Sequence, residues 1–318
     1  MSKDFEIKIA SPSSGRSEIA ARVALGLYRE IGRHTNYSVS LIMGPSESEM
    51  GGGGAPIVVG KRKYHFDFSN PAALARMALL GRGLYKNKIP LRAIGVFPSW
   101  DRLVFAVHES TGIRSLEEIK ERKYSLRVST RRGGKFQTTL FAIDQVLKAY
   151  GFRFADIKKW GGKIFTVSSP SSPERVRHVQ SGEVNAVFDE GIKSWGTMAL
   201  KSGMRFFPLR DNVIKRMERI GFSTALVDPL IYPGLDREVV TLDFSGWLFF
   251  CHRELPNRIA YCMAKAIDLC HDEIPVDHLD RLGMTMEEFC RGGEGGPLTI
   301  PLHPAAKRYY KEKGYLSP

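Results

Sequence analysis

The chain has 318 residues, of which 43% are hydrophobic and 25% are charged, a composition typical of globular proteins that bury a sizeable core. Its formal net charge is +13, and residues 114–163 alone contain 13 Lys and Arg against 5 Asp and Glu. This basic stretch attracts anions, but the absence of a nucleic-acid-reading motif and of any apolar run near ~20 residues argues against nucleic acid as a partner and against membrane insertion.

The N-terminal part of the chain alternates between strand and helix patterns. Strands are predicted at residues 7–10, 37–43, 65–68 and 91–97, and helices at residues 17–28 and 72–80. In the first helix, apolar residues recur at positions 19, 23, 27 and 31, which is the spacing of one helix face. This alternation predicts an α/β fold with a mostly parallel sheet.

Two further apolar strands, at residues 103–109 and 247–253, flank a second region of the same kind. Each is followed by a helix pattern, which begins at Ser115 in the first case and near Pro256 in the second. Between them, the sequence predicts a strand at 125–129, a helix at 136–150, and a helix end, turn and strand at 181–190. The α/β pattern therefore extends along the whole chain.

Six features along the chain form a recognisable series. They are the Ser/Gly loop at 11–15, the strand at 91–94, the pair of apolar strands, the Ser-Gly-Glu-Val-Asn-Ala-Val-Phe segment at 181–188, the Tyr-Pro-Gly turn at 232–234, and the Pro-bracketed, Tyr-rich segment at 300–314. In this order they resemble the TAXI-type solute receptors of TRAP transporters. The resemblance extends over nearly the whole chain.

The resemblance implies a two-lobed fold similar to that of type II periplasmic binding proteins, with a ligand cleft between lobes that two hinge strands join. Lobe 1 would comprise residues 1–103 plus 246–318, and lobe 2 would comprise residues 104–245. The implied function is that of a solute-binding receptor for TRAP-type uptake. Such a receptor would capture a small carboxylated, anionic ligand, close by hinge motion, and dock on TRAP membrane subunits.

Three features depart from the family pattern. The residues from Met1 onwards show no secretory signal, so the expected location is periplasmic if a leader was removed and cytoplasmic otherwise. Residues 51–54 are four glycines where the family has a helix, and the turn after the 125–129 strand carries Arg131 and Arg132 where the family has small neutral residues. The last two differences count against the usual ligand of the family as the ligand of this chain.

Loops that follow strands supply the candidate ligand-binding residues, because ligands of open α/β sheets bind beyond the carboxyl ends of strands. In lobe 1, Ser11, Ser14 and Gly15 precede a helix whose free backbone N–H groups could hold a carboxylate, or they form an ordinary helix cap. Ser46 follows the second strand and is a candidate of the same kind.

Three more candidates in lobe 1 follow the third and fourth strands. Ser69 and Asn70 could hydrogen-bond a polar ligand, or cap the helix that begins after Pro71. Trp100 could form the floor under an apolar part of the ligand, or pack at the hinge.

In lobe 2, the turn after the 125–129 strand contributes Thr130, Arg131 and Gly133. An arginine there offers a planar fork that matches a carboxylate, and Arg131 is the predicted charge partner of the ligand, unless Arg131 and Arg132 both point to solvent. The 181–190 strand ends in Asp189 and Glu190, which could bind an ammonium or hydroxyl group of the ligand. Alternatively, one of these carboxylates pairs with a nearby arginine and the other is solvated.

The cysteines predict neither a metal site nor a redox site. Their positions match no zinc pattern, and free buried thiols are expected at Cys251, Cys262, Cys270 and Cys290. We therefore predict no metal and no cofactor.

Two functions are consistent with the sequence. The first is a receptor that binds a small anionic ligand without chemistry. The second is a cytoplasmic enzyme on the same fold, a decarboxylase or proton-transfer catalyst, in which Asp189 and Glu190 act as acid and base and Arg131 holds an anionic substrate.

Overall fold

The computed structural model describes residues 5–11, 17–32, 36–44, 53–134, 137–275 and 284–317. The chain divides into two compact units. Unit 1 comprises Met1–Trp100 and Ser245–Pro318, and unit 2 comprises Asp101–Phe244. Unit 1 is therefore discontinuous in sequence.

Helices and strands alternate along most of the chain, as the hydrophobic periodicity predicts. The elements before unit 2 are β1 (Phe5–Ser11), α1 (Ser17–Ile31), β2 (Tyr37–Met43), α2 (Ala55–Gly60), β3 (Phe66–Ser69), α3 (Ala73–Leu80) and β4 (Leu91–Phe97). Those of unit 2 are β5 (Arg102–His108), α4 (Leu116–Glu121), β6 (Arg127–Arg131), α5 (Thr138–Ala149), α6 (Phe154–Lys159), β7 (Lys163–Val167), α7 (Pro173–Gln180), β8 (Ala186–Asp189), α8 (Ile192–Lys201), β9 (Met204–Phe206), α9 (Asp211–Ile220), β10 (Thr224–Val227) and β11 (Val239–Asp243). The elements after unit 2 are β12 (Trp247–His252), α10 (Asn257–Cys270), α11 (Met286–Arg291), β13 (Gly292–Gly293), β14 (Gly296–Pro297) and α12 (Pro304–Glu312). Short 3₁₀ turns lie at Glu109–Thr111 and His271–Glu273.

Unit 1 is built on a five-stranded sheet of order β2-β1-β3-β12-β4. Strand β1 is parallel to β2 and β3, whereas β12 is antiparallel to β3 and β4. A strand from the C-terminal part of the sequence thus lies inside a sheet made by the N-terminal part. Helices α1, α10 and α12 cover this sheet, and a cluster of stacked rings that includes Phe66, Phe68, Phe97 and Phe249 fills the core.

Unit 2 contains a sheet of order β10-β11-β5-β8-β6-β7, and β9 pairs with β5. Strands β6, β7 and β8 are parallel, whereas the pairs that involve β5 and β11 are antiparallel. The α/β class is confirmed. The mostly parallel sheet predicted from the N-terminal strands is found in unit 1, where β1 to β4 run in the same direction, whereas the sheet of unit 2 is mixed. The chain enters unit 2 through β5 and leaves it through β11. Neither strand is therefore joined to the strands beside it by the helical crossover that makes neighbouring strands parallel.

The free thiols agree with the expectation from the sequence. All four cysteines are free, and Cys251, Cys270 and Cys290 are buried. Burial raises the pKa of Cys270 and of Cys290 to about 11, so both stay protonated at neutral pH. In the ranges that the structure describes, no helix is both long and apolar enough to cross a membrane.

Candidate functional site

A group of charged side chains lies in unit 2 where strands β6, β7 and β8 end; we call this end of the strands the edge of the unit 2 sheet. The parallel strands β6, β7 and β8 all end at this edge, and the antiparallel strand β5 begins there. Helices α7 and α8 start immediately beyond β7 and β8. The edge therefore brings together strand ends and helix starts, which is where α/β sheets bind ligands.

A completely buried ion pair between Arg175 and Asp189 forms the base of this group. The Nη2 of Arg175 contacts the Oδ2 of Asp189, and both side chains are fully shielded from solvent. Arg175 also donates from Nε to the hydroxyl of Ser129 (3.1 Å) and from Nη1 to the carbonyl of Pro170 (3.2 Å). The guanidinium packs over the ring of Trp195, 5.8 Å from its centroid. Asp189 is thus fixed in place and is not solvated.

Arg131, at the end of β6, lies above this pair and contacts two carboxyl groups. Its Nη2 donates to the Oε1 of Glu190, and its Nε lies 3.5 Å from the Oδ2 of Asp189. Only 14% of the Arg131 side chain is exposed, so it does not point to solvent. The Nε atom is buried but makes no hydrogen bond within the described residues. An acceptor is therefore still needed at this atom.

A second buried donor without a hydrogen-bond acceptor in the described residues, here called an orphan donor, lies at the start of helix α5, the next helix after β6. The hydroxyl of Thr138 is buried and makes no hydrogen bond within the portion of the chain that the structure describes. The helix itself is capped by Gln137, whose side chain accepts from the N–H of Leu140 (2.7 Å). The Thr138 hydroxyl is therefore not needed for the cap.

Asp101, which the sequence analysis missed, completes the group. Its carboxylate accepts hydrogen bonds from the backbone N–H of Gly191 (2.9 and 3.0 Å to the two oxygens) and of Arg102 (2.7 Å). Because Gly191 directly follows Glu190, these bonds bring the Asp101 carboxylate close to the end of β8. Burial raises the pKa of both carboxyls, and the neighbouring Asp101 charge raises the pKa of Glu190 further, well above its ordinary value, although Arg131 opposes the shift.

The other residues predicted in the β6 turn have different surroundings. Thr130 is buried and donates from its hydroxyl to the carbonyl of Phe188 (2.8 Å), so it joins β6 to β8. Gly133 is exposed and has φ +154°, a backbone conformation that side chains rarely adopt. Arg132 is exposed, and its N–H donates to the carbonyl of Val167 (2.7 Å).

The candidates near the first two strands lie only partly within the described residues. Ser11 is completely buried at the end of β1, and its carbonyl accepts from the N–H of Gly44 (2.7 Å). Ser14, Gly15 and Ser46 lie outside the described residues.

The remaining unit 1 candidates make contacts within unit 1. The hydroxyl of the buried Ser69 donates to the carbonyl of Pro71 (3.1 Å), and the amide of Asn70 donates to the carbonyl of Gly246 (3.1 Å). Neither side chain caps α3, because its N-cap residue is Ala72 and no side chain bonds there. Trp100 is 6% exposed, at the end of the first segment of unit 1.

Arg175 is the residue that sequence reasoning missed and could have found. It lies in the first turn of α7, which begins with Pro173. An arginine there is unfavourable because the helix dipole places partial positive charge at that end. A basic residue in this position therefore indicates a buried acidic partner elsewhere in the fold.

The described part of the chain contains no group of three or more His, Cys, Asp or Glu side chains that could hold a metal ion. The charged group at the sheet edge instead offers arginine donors, among them the buried Nε–H of Arg131, and the Glu190 carboxyl, whose pKa is raised. Chemically, this arrangement can bind an anion or move a proton.

Solved structures of binding proteins align with this chain at low identity. MatC from Rhodopseudomonas palustris, solved with bound malate, is 11% identical, with 98% of this chain and 97% of that chain covered and a TM-score of 0.43. The alkanesulfonate-binding protein SsuA from Xanthomonas axonopodis pv. citri, bound to MOPS, is 12% identical, with coverages of 98% and 85% and a TM-score of 0.40. PhnD1 from Prochlorococcus marinus, in complex with methylphosphonate, is 9% identical, with coverages of 99% and 100% and a TM-score of 0.41. Similarity of this degree identifies neither a ligand nor a site residue of this chain.

No curated protein matches the sequence. A protein-family model does match it, from residue 47 to residue 314, and this range includes the whole charged group at the unit 2 edge. The chain belongs to the NMT1-like family.

Proposed function

We propose that the protein is a solute-binding receptor that captures a small carboxylated molecule at the charged edge of unit 2. The observation that carries the proposal is the Nε–H of Arg131, a buried cationic donor without a hydrogen-bond acceptor within the described residues. A carboxylate oxygen would supply that acceptor, and a charge-assisted hydrogen bond is about twice as strong as a neutral one. The orphan hydroxyl of Thr138 would serve as a second donor.

The wider setting of the proposal comes from the sequence resemblance. We propose that the receptor is of the TAXI type, closes its two lobes around the ligand, and delivers it to TRAP membrane subunits from the periplasm. Membership in the NMT1-like family supports a role in solute binding.

The first test is a thermal-shift screen of the purified protein against acetate, pyruvate, benzoate, malonate, succinate and amino acids, followed by mass spectrometry of each mixture. A ligand that binds the folded state raises the melting temperature. A compound that stabilises the protein and remains intact supports a receptor. If no carboxylate stabilises the protein, the proposed ligand class is wrong.

The role of Arg131 is tested with the same compounds by titration calorimetry. We expect Arg131→Ala to weaken carboxylate binding by about 2–4 kcal/mol, because it removes a buried charge partner. Arg132→Ala is the matched control, since this neighbouring side chain is exposed, and it should bind nearly as the wild type does. Equal affinities in the two variants would remove Arg131 from the site.

One observation favours a second candidate function, proton-transfer chemistry. The pKa of Glu190 is raised well above its ordinary value by burial and by the nearby Asp101 carboxyl, as is common for catalytic acids and bases. Asp189 is fully buried against Arg175, so we give the acid-base role in this candidate to Glu190 alone. Consumption of a screened compound, detected by mass, would favour the enzyme, and wild-type turnover in Glu190→Gln would eliminate Glu190 as its acid or base.

A further inference from the structure

A cavity of about 320 Å³ lies within unit 1, at the end of the sheet where β3 and β4 begin. Small-molecule sites usually have volumes of roughly 300–1,000 Å³. The walls are formed by Ile57, Gly60 and Lys61 at the end of α2 and by residues 84–90, the loop before β4. The cavity is therefore built from other elements than the charged group, which belongs to unit 2.

The walls of this cavity are held in place by contacts within unit 1. The N–H of Ile89 donates to the carbonyl of Ala78 (2.8 Å), and the buried Tyr85 donates from its hydroxyl to the carbonyl of Gly53 (2.9 Å). A Cβ atom on Gly60 would lie 2.4 Å from the Cγ2 of Ile89, so the glycine lets the loop pack directly against α2. The cavity is thus formed before any ligand arrives, which lowers the entropic cost of binding.

The inner part of the cavity is apolar. Its lining includes four half-buried side chains, those of Ile57, Leu84, Ile89 and Pro90. Apolar surface in a concave site gains most from a ligand that removes it from water. This part of the lining therefore fits a hydrocarbon chain or ring.

The remaining lining is basic. Lys61, Lys86 and Lys88 are exposed, and none of them forms an ion pair within the described part of the chain. Residues 55–92 contain eight Lys and Arg but one acidic residue, Asp67, which is buried inside β3. The local field at the cavity is therefore positive and attracts anions.

A carboxylate near this end of the sheet is already paired. Glu254 follows β12, and it forms ion pairs with Arg62 and with Arg253 (3.8 Å). It therefore does not neutralise the lysines that line the cavity, and a counter-charge has to come from outside the described residues.

We propose that the cavity is a second ligand site, which takes a small amphipathic anion. The apolar part of the ligand occupies the space between α2 and the 84–90 loop, and the negatively charged head group lies among the three lysines. An ammonium group is a compact charge without the planar geometry of a guanidinium, so the lysines accept a carboxylate, a sulfonate or a phosphate head. The site is independent of carboxylate binding at Arg131.

Calorimetry with three probes tests whether the ligand needs both parts. Octanoate has a hydrocarbon chain and a charge, 1-octanol has the chain alone, and acetate has the charge without the chain. We expect octanoate to bind at least about tenfold more tightly than either of the others, and its affinity to fall as the salt concentration rises from about 20 to about 300 mM. Equal affinities for octanoate and 1-octanol would overturn the role of the lysines.

The lysines are tested by paired variants that lose the same charge. In the double variant Lys86→Gln/Lys88→Gln, we expect octanoate affinity to fall by about tenfold. The control is Lys158→Gln/Lys159→Gln, which removes two exposed lysines of unit 2 and should change the affinity by less than about twofold. Equal losses in the two variants would show a general effect of net charge and contradict a site at the cavity.

Methyl NMR of isoleucine-labelled protein locates the bound octanoate. We expect the methyl signals of Ile57 and Ile89, assigned with the Ile57→Val and Ile89→Val variants, to shift on titration. Ile192 is the control, because it is buried at the start of α8, next to Glu190 and Gly191 in the chain, and reports on the charged group of unit 2.

The outcomes separate this proposal from the proposed function. Shifts of Ile192 alone would place octanoate at the unit 2 edge, which overturns the second site and supports the first. An absence of octanoate binding also overturns the second site, while the Arg131 variants still decide the proposed function. Cosedimentation with phosphatidylglycerol vesicles that the Lys86/Lys88 variant abolishes, without binding of free octanoate, would assign the lysines to a membrane surface and overturn the proposal as well.

Discussion

At the scale of single residues, the site depends on two arginines, Arg131 and Arg175, that each contact more than one oxygen-bearing group. Arg175 binds Asp189, Ser129 and the Pro170 carbonyl, so it ties three parts of unit 2 together at the base of the charged group. Arg131 forms ion pairs with Asp189 and Glu190. Because Asp189 is held by Arg175, the contact of Arg131 with Glu190 can be exchanged for a ligand without leaving Asp189 uncompensated.

The contribution of Arg175 to the stability of the protein can be measured by urea unfolding. We expect Arg175→Ala to lower the free energy of unfolding by about 3–5 kcal/mol, because it leaves a buried carboxylate without its main partner. The loss should lie towards the lower end, since Arg131 is still 3.5 Å from Asp189.

Arg177→Ala is the control on the same helix, because Arg177 is exposed. It should change the free energy of unfolding by no more than about 0.5 kcal/mol. An Arg175→Ala variant as stable as this control would show that the buried ion pair contributes little to folding.

At the scale of elements, the Tyr-rich C-terminal segment has a structural role. Residues before α12 run along the edge strand β4, where the N–H of Ala93 donates to Pro301 (2.9 Å) and the N–H of His303 donates to Ala93 (2.8 Å). Tyr310 then donates from its hydroxyl to the carbonyl of Ile94 (2.9 Å). The segment therefore covers the open edge of the unit 1 sheet.

The same region shows why one glycine lies inside a strand. A Cβ atom on Gly95 of β4 would lie 2.2–2.5 Å from the ring of Phe289 on α11. This close approach lets α11 pack directly on the sheet, where Phe289 also contacts Phe97 and Tyr310.

His303 caps helix α12 in its neutral form. Its Nδ1 accepts from the N–H of Ala305 (3.3 Å), and its Nε2 is 3.1 Å from the carbonyl of Leu255, so Nε2 carries the proton. Burial lowers the pKa of His303 below its ordinary value of 6.5, and the Leu255 contact only partly offsets this shift. The unfolded chain therefore binds more protons than the folded one as the pH falls below about 6.5, and stability is lost in that direction.

We predict that His303→Ala lowers the free energy of unfolding by about 1–2 kcal/mol at pH 8, because it removes the side-chain cap of α12. The variant should also lose less stability than the wild type between about pH 7 and about pH 5. Urea unfolding across this range measures both effects, and His65 and His252, whose pKa values are also lowered by burial, are common to both proteins. Parallel curves would contradict a neutral, buried His303.

At the scale of the whole molecule, unit 2 is an insertion whose two ends meet. The N–H of Phe244, its last residue, donates to the carbonyl of Asp101, its first (3.1 Å). In unit 1, the N–H of Gly246 donates to the carbonyl of Ser99 (2.9 Å). The chain therefore enters and leaves unit 2 at neighbouring points, so the unit can be isolated by cutting the chain at these two points.

We predict that a fragment of residues 101–244 folds by itself, since it has its own sheet and core. Circular dichroism and a cooperative thermal transition would show this. Unit 1 without residues 245–318 should not fold, because it loses β12 from the middle of its sheet. An unfolded 101–244 fragment would mean that unit 2 depends on unit 1.

The sequence by itself determined the kinds of element and most of their positions, because hydrophobic periodicity is a local property. It predicted residues 37–43 and 91–97 as strands with the observed bounds, but placed the strand that ends in Arg131 two residues early, at 125–129 instead of 127–131. It also predicted Asp189 and Glu190 as candidate site residues, and both lie at the end of β8. Local pattern was sufficient for all of this.

Only the tertiary structure decided which charges meet. Asp101 and Glu190 are far apart in sequence, and they are joined because β5 runs antiparallel to β8, with Val104 opposite Asp189. Strand direction and register depend on contacts that close over long stretches of chain, and no local pattern encodes them. For the same reason, the carboxyl partners of Arg131 and Arg175 follow from the fold, whereas the residues themselves could be read from the sequence.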